Sequence, residues 1–237
     1  MNATVLIPAA GMGRRMGGST SKQFLELAGK PILAHTLSLF EHHPLVENIY
    51  LIVPEKDIAY CRREIVERHG FRKVVRIVAG GLERQDSVRN GLQAVTEDGG
   101  VPPERPILIH DGARPLFDSS LLSHLIEIVD SKGACAVGVP VKDTIKDVEN
   151  RRITGSPDRR RLWQAQTPQG FQYHLLKKAF EQADKDGFFG TDDASLLEYA
   201  GYPVQMLEGN YRNIKVTTPE DLLIAAALLD SMKADVK

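Results

Sequence analysis

Short apolar runs alternate with longer amphipathic stretches along the first 140 residues of the chain. Runs rich in Val and Ile predict strands at Thr4–Pro8, Ile49–Val53, Val74–Val78, Pro106–Ile109 and Ala134–Val139. Nearly continuous apolar character is typical of strands that are buried on both faces of a sheet. Apolar residues at helical spacing predict helices between them, at Pro31–His42, Ile58–His69, Ser87–Thr96 and Ser120–Lys132. The alternation predicts an α/β, Rossmann-like fold with a mostly parallel, doubly wound sheet.

The alternation changes after Pro140. Val141–Val148 and Arg152–Thr154 predict two strands joined at Glu149-Asn150-Arg151, and we interpret residues 141–162 as a β-hairpin arm that projects from the main domain. An isolated hairpin is marginally stable in water, so such an arm is expected to need a partner. The alternative interpretation is an irregular surface insertion.

The remainder of the chain returns to the α/β pattern. It predicts strands at Leu162–Thr167, Val204–Glu208 and Asn213–Val216, helices at Tyr173–Lys185 and Asp192–Ala200, and a last helix opening at Thr218-Pro219. Because we find no repeat and no long linker, we expect residues 1–237 to form a single domain that includes the arm.

Composition narrows the classes of function. Lys and Arg together number 30 and Asp and Glu 31, which gives a formal net charge of −1. A general nucleic-acid or membrane-surface binder would normally carry a basic excess, so we expect neither partner. The longest apolar stretch, Leu222–Leu229, is too short to span a membrane and predicts a buried helix. Cys61 and Cys135 match no metal or disulfide spacing, and with no signal peptide pattern we expect a cytoplasmic protein.

A Gly-rich, basic loop, Pro8-Ala9-Ala10-Gly11-Met12-Gly13-Arg14-Arg15-Met16-Gly17, follows the first predicted strand. Such a turn lets backbone amides approach a phosphate closely, and ligands bind at this edge of open α/β sheets. Ser19 stands where a Walker A loop needs Lys, and Met16 stands where a dinucleotide fingerprint needs its third Gly. Residues 11–30 carry four basic side chains against Glu26, an excess that suits a triphosphate.

Eight short motifs then occur in order along the chain. They are the residues 8–16, Lys22-Gln23, Gly80–Val88, His110–Pro115, Pro140–Thr144, Gln166–Gln169, Thr191–Ser195 and Asn213–Thr217. Together they resemble the 2-C-methyl-D-erythritol 4-phosphate cytidylyltransferase family of the nucleotidyltransferase superfamily, through about Ala226. Two departures are visible on loops: Ser21 stands where the family usually has Pro, and Gly112 where Ala is common.

The resemblance implies transfer of CMP from CTP to methylerythritol phosphate, with release of pyrophosphate, in isoprenoid precursor synthesis. An in-line displacement at the α-phosphorus depends mainly on positioning and charge neutralisation. The resemblance further implies Mg²⁺, held mainly by the CTP phosphates.

The resemblance also implies roles for particular residues. Those expected to hold the triphosphate and stabilise its developing charge are Arg15, Lys22 and Lys215. Those expected to contact the nucleotide are Ala9, Ala10, Gly11, Gly13, Gly80, Gly81 and Ser87. Ser87 has an alternative interpretation, as the cap of the helix that follows.

For the acceptor substrate, the resemblance implies contacts from Asp111, Thr144, Arg159, Thr167 and Thr191. Asp111 would bind the substrate hydroxyls, or the metal through water, with Arg114 as its structural partner. In a homodimer formed through the arm, Thr144 and Arg159 would bind the substrate phosphate of the neighbouring subunit's site. If the register differs by one, Arg160 or Arg161 takes the place of Arg159.

Two other functions stay open at this point. The first is ribitol 5-phosphate cytidylyltransferase, against which the Pro8-Ala9-Ala10 opening and the His110–Pro115 motif count. The second is a catalytically inactive nucleotide-binding regulator. An inactive protein would be expected to lack a phosphate-binding cation, yet Arg15, Lys22 and Lys215 are all present.

Overall fold

A twisted sheet built from the apolar runs forms the centre of this computed structural model, which describes residues 2–11 and 22–234, without the side chains of residues 22, 233 and 234. In those ranges the strands are β1 (Ala3–Pro8), β2 (Glu26–Leu27), β3 (Lys30–Pro31), β4 (Val46–Val53), β5 (Val74–Ala79), β6 (Pro106–Ile109), β7 (Ala134–Pro140), β8 (Asp147–Glu149), β9 (Arg152–Gly155), β10 (Trp163–Gln172) and β11 (Gln205–Glu208). The main sheet has the order β11-β7-β10-β6-β1-β4-β5. Strand β10 runs antiparallel to both neighbours, whereas the other pairs are parallel.

Helices cover both faces of this sheet. They are α1 (Ile32–Glu41), α2 (Ile58–Tyr60) with a π-helical continuation at Cys61–Glu67, α3 (Arg84–Glu97), α4 (Leu121–Lys132), α5 (Tyr173–Asp186) and α6 (Asp193–Tyr199). Helix α7 (Pro219–Ala234) packs instead in a smaller apolar cluster that includes Leu27 of β2. Helices α1 and α4 pack on the face that receives Val5 and Ile7 of β1. Helices α3, α5 and α6 pack on the opposite face, which receives Leu6. The side chains of β1 thus alternate between two buried cores, and the predicted doubly wound α/β sheet is confirmed.

The order in which the strands are added to the sheet changes direction at β1. Strand β1 pairs with β4 on one side and with β6 on the other. Open α/β sheets bind ligands at the carboxyl ends of the strands at such a switch point. The residues that follow β1 and β6 are therefore the natural place to look for a site.

Several predicted features differ in the structure. Residues 213–216 form no strand, because a few specific hydrogen bonds, described below, hold them. The run Leu222–Leu229 lies in α7, but only one side of that helix is covered: Ala225 is buried, whereas Leu223 is 74% exposed. Helix α3 begins three residues before the predicted Ser87, because a capping box forms in which the Glu83 N–H donates to the Asp86 carboxylate at 3.1 Å.

The predicted hairpin within residues 141–162 is present as a separate two-stranded sheet of β8 and β9. Its first strand is Asp147–Glu149, which overlaps the predicted Val141–Val148 only at residues 147 and 148. The turn consists of Asn150 and Arg151, which both have positive φ, as a tight two-residue hairpin turn requires. Within the described ranges, no helix is long and apolar enough to cross a membrane.

Candidate functional site

A buried carboxylate with three cationic neighbours lies at the carboxyl end of β6. The Asp111 side chain is 8% exposed. Its Oδ1 accepts from Arg84 Nε at 3.1 Å, and its Oδ2 lies 2.9 Å from Lys215 Nζ and 3.4 Å from Arg114 Nε. Burial alone would raise the pKa of Asp111, but the charges of Arg84, Lys215 and Arg114 lower it well below its usual range. Asp111 is therefore ionised, and cations flank both of its oxygens.

A second buried acid lies on the other side of Arg84. Asp193, the first residue of α6, is 1% exposed, and its Oδ2 lies 2.6 Å from Arg84 Nη2. Burial raises the pKa of Asp193, and the contact with Arg84 opposes that effect. Arg84 thus joins the start of α3 to the end of β6 and to the start of α6.

His110 and Thr167 hold the backbone of the Asp111 turn. Burial lowers the pKa of His110 to about 4, so the ring is neutral. Its Nε2 lies 3.0 Å from the Arg114 carbonyl, which only accepts, so Nε2 carries the proton. Nδ1 then accepts from the Thr167 hydroxyl at 3.1 Å, and Thr167 Oγ1 in turn accepts from the Asp111 N–H at 3.1 Å. This arrangement commits the hydroxyl proton of Thr167 to His110 rather than to a substrate.

The segment that carries Lys215 is fastened to the same place. The buried Asn213 side chain donates to Gln166 Oε1 at 3.1 Å and to the Thr167 carbonyl at 2.9 Å. The Val216 N–H donates to the Ala113 carbonyl at 2.9 Å. Residues 213–216 are therefore held beside Asp111 although they do not join the sheet.

The two predicted nucleotide loops lie against each other. A Cβ at Gly80 would lie 2.4 Å from the Cβ of Ala10, and one at Gly81 would lie 2.2 Å from the Cβ of Asp86. Glycine is thus required here by contacts within the chain. Ser87 is buried inside α3, where its hydroxyl accepts from the Gly81 N–H and donates to the Glu83 carbonyl, each at 3.1 Å. Its cap interpretation is wrong, since it orders the loop from within the helix.

The first loop is described only in part. Ala9 is buried, Ala10 is half-buried and Gly11 is exposed. Gly13 and Arg15 lie outside the described residues, as does the side chain of Lys22, whose backbone opens the short 3₁₀ turn Lys22–Phe24.

The expected acceptor residues fall into two groups. Asp111 and Thr167 are together, as described above, whereas Thr144, Arg159 and Thr191 are exposed. Arg159 Nη1 donates to the Lys142 carbonyl at 3.0 Å within the base of the arm. The neighbouring Arg160 is engaged by Asp158 at 2.7 Å. Thr191 comes directly before Asp192, the residue that caps α6.

Sequence reasoning missed Arg84 and Asp193 as members of the site. Both lie inside motifs that were recognised, Gly80–Val88 and Thr191–Ser195, but neither had been given a role. The two residues are 109 positions apart, so only the folded chain reveals their contact.

The donor set does not form a protein cage for a metal ion. Among the described residues, no group of three or more His, Cys, Asp or Glu side chains is placed to hold one. Cations already face both oxygens of Asp111. These residues fit an ion whose ligands are mainly substrate phosphate oxygens, as in many phosphoryl-transfer sites.

Comparison with known proteins gives a consistent picture. The family model described as 2-C-methyl-D-erythritol 4-phosphate cytidylyltransferase matches residues 3–231. A relative with that name from Syntrophotalea carbinolica is 53% identical over 98% of this chain and 97% of its own length. Another from Geotalea uraniireducens is 51% identical over 99% of this chain and all of its own. The crystal structure of the enzyme with that name from Thermus thermophilus is 31% identical, with a TM-score of 0.75 over 96% of this chain and 98% of its own.

Proposed function

The chain belongs to the 2-C-methyl-D-erythritol 4-phosphate cytidylyltransferase family and transfers CMP from CTP to that sugar phosphate; we propose that the centre formed by Asp111 and Lys215 is where the transfer takes place. A phosphate oxygen of the acceptor forms a bond to the α-phosphorus of CTP, while the bond to the β-phosphate oxygen breaks and pyrophosphate leaves. That phosphate oxygen is already deprotonated near neutral pH, so the step needs no protein base. The protein contributes positioning and charge stabilisation.

The observation that supports this proposal most strongly is the contact between Lys215 and Asp111. The Lys215 side chain is 37% exposed, and its segment is fastened by the backbone and by Asn213 rather than by the lysine itself. Its ammonium group can therefore turn from Asp111 to a bound triphosphate without moving the chain. Together with Arg15 and Lys22 it would offset the charge that develops on the α-phosphate.

Departure of Lys215 would also prepare Asp111 for the acceptor. Oδ1 keeps its contact with Arg84, whereas Oδ2 loses its closest partner. A carboxylate oxygen is a strong acceptor of hydrogen bonds from sugar hydroxyls. Movement of the Lys215 ammonium group alone would therefore complete both the triphosphate site and the acceptor site.

The loops at residues 9–11 and 80–83 are proposed to bind the nucleotide. Gly80 packs on Ala10, and Ser87 fixes the Gly81 amide, so the two loops form one surface at the carboxyl ends of β1 and β5. The divalent cation is proposed to be Mg²⁺ held mainly by the triphosphate, with at most a water-mediated contact to Asp111. It would supply further charge neutralisation.

The arm is proposed to form a homodimer with a shared site. Val148 and Ile153 are partners across the two strands, and both are exposed. Cross-strand partners lie on one face, so the arm presents an apolar pair that a second subunit would cover. Thr144 and Arg159 would then reach the neighbour's substrate phosphate.

The buried thiols Cys61 and Cys135 form no disulfide, which supports a cytoplasmic location.

Pyrophosphate release is expected only when CTP, methylerythritol phosphate and a divalent cation are all present. Omitting any one should reduce release to the background rate, because the attacking oxygen, the leaving group and the charge-neutralising ion come from different components. Direct quantification of pyrophosphate by ³¹P NMR or ion chromatography measures this without a coupling enzyme that itself needs a divalent cation. Release that proceeds without the acceptor at the full rate would contradict the proposed transfer.

A shared site predicts rescue between two inactive variants. Arg159→Ala and Lys215→Ala subunits should regain about a quarter of wild-type activity after mixing, because half of randomly exchanged dimers are hybrids with one intact site. Each variant mixed with itself is the control. If mass spectrometry proves subunit exchange and activity does not return, Arg159 does not act in the neighbour's site.

A further inference from the structure

Arg84 bridges two buried carboxylates that come from different parts of the fold. Its Nε contacts Asp111 Oδ1 at 3.1 Å, and its Nη2 contacts Asp193 Oδ2 at 2.6 Å. Both acids are buried, and the Arg84 side chain is itself less than one third exposed. The guanidinium of Arg84 is planar and rigid. When Asp193 holds its Nη2 group, the direction in which its Nε group points toward Asp111 is therefore fixed as well.

The two oxygens of Asp111 have different partners. Arg84 holds Oδ1, whereas Lys215 and Arg114 share Oδ2. Arg114 makes the weaker contact with Oδ2, because its Nε lies 3.4 Å from that oxygen. Its Nη1 donates instead to the Asn213 carbonyl at 2.7 Å. Once Lys215 turns to a phosphate, the closest remaining contact to the carboxylate is that of Arg84.

We propose that Arg84 is a positioning residue for the acceptor: anchored by Asp193, it holds Oδ1 of Asp111 so that Oδ2 stays directed at the substrate hydroxyl after Lys215 has left. The inference rests on the proposed function. It assigns Oδ2 as the oxygen that binds the acceptor and Arg84 as the group that sets its direction. It also links the nucleotide loop to the acceptor, since Arg84 directly follows the loop at residues 80–83.

Charge balance supports the same assignment. With Lys215 in place, three cations face Asp111 and Asp193; without it, two arginines face two carboxylates. The buried acids are therefore still compensated when Lys215 binds phosphate. If Arg84 were lost, Asp193 would be uncompensated, and Asp111 would keep only Arg114 once Lys215 has left.

A purely structural role for Arg84, as the counter-ion of Asp193, makes a different prediction. In that case, replacing Arg84 would lower the stability of the protein without an effect on catalysis through Asp111. Helix α3, which carries Arg84, also provides a matched control. Its Arg89 likewise bridges two carboxylates, Asp86 and Asp184, but does not contact Asp111. Arg89→Gln should lower stability slightly and leave the kinetic constants unchanged.

A double-mutant cycle on the full-length enzyme tests the proposal. Arg84→Gln should lower kcat/KM for the acceptor about ten- to a hundredfold, the effect of removing a hydrogen bond to a charged group, while KM for CTP changes less. Arg84→Lys should recover part of the loss. In the Asp111→Asn background, Arg84→Gln should cost less than about threefold, because its target is already gone.

Additive effects of Arg84→Gln and Asp111→Asn would overturn the proposal, as would equal rises in KM for both substrates. If Arg84→Gln folds poorly, Arg84→Gln with Asp193→Asn leaves no uncompensated buried acid and should show the same acceptor defect. A normal acceptor KM in that variant would likewise overturn it. Absence of CMP transfer by the wild-type enzyme would instead contradict the proposed function itself, so the two failures are distinguishable.

Discussion

Lys215→Gln is expected to lower kcat for CMP transfer by about a hundredfold or more, while the protein remains folded. Loss of one cation that stabilises developing transition-state charge has effects of this size. The unfolding free energy should fall by no more than about 1 kcal/mol, because the ion pair is partly exposed and Asp111 keeps Arg84 and Arg114. Steady-state kinetics and urea unfolding on the same preparation measure both quantities.

Lys178→Gln is the matched control for that experiment, since it removes an exposed lysine from α5, a helix that contributes no residue to the site described above. It should leave kcat unchanged. A Lys215→Gln enzyme with near-normal kcat would remove Lys215 from the mechanism. Losses of similar size are expected for Arg15→Ala and Lys22→Ala.

Asp111→Asn is expected to damage both activity and stability. Removing the charge leaves Arg84, Arg114 and Lys215 around a neutral amide, and loss of one member of a buried ionic group costs about 3 kcal/mol. KM for the acceptor should rise and kcat should fall about a hundredfold, since the oxygen that accepts its hydroxyl is replaced or weakened. CTP binding should not weaken, because Lys215 is no longer held by a carboxylate.

Titration calorimetry with CTP, thermal unfolding and steady-state kinetics separate these effects. Asp130→Asn, an exposed position on α4, is the control and should match the wild type. An Asp111→Asn protein that binds CTP poorly but keeps its acceptor KM would place Asp111 on the nucleotide side and contradict the assignment.

The main elements were predictable because buried strands and amphipathic helices leave clear patterns. Strands such as β6 are apolar at every position, and their side chains are buried on both faces of the sheet. Periodicity says nothing about strand direction, so the antiparallel course of β10 between β6 and β7 emerged only in the fold. Residues 213–216 have a strand-like composition, but the buried amide of Asn213 fastens them instead.

The candidate site was predictable where its residues lie in recognised motifs, and less so where it depends on contacts. Asp111 and Lys215 were expected at the site, and the structure brings them together at 2.9 Å. The role of Arg84 was not predicted, because it depends on a contact with Asp193, which is remote in the sequence. The alternative interpretation of Ser87 as a helix cap is wrong, because the capping box of α3 begins four residues earlier, at Glu83.

The most direct test of the central claim compares two acceptors in one assay. With CTP and Mg²⁺ held constant, kcat/KM for pyrophosphate release is measured with 2-C-methyl-D-erythritol 4-phosphate and with ribitol 5-phosphate, and the product is identified by mass spectrometry. The account predicts 4-diphosphocytidyl-2-C-methyl-D-erythritol as the product and a preference of at least about a hundredfold, a gap that a site built around specific hydroxyl contacts can provide. Equal rates with ribitol 5-phosphate would contradict it.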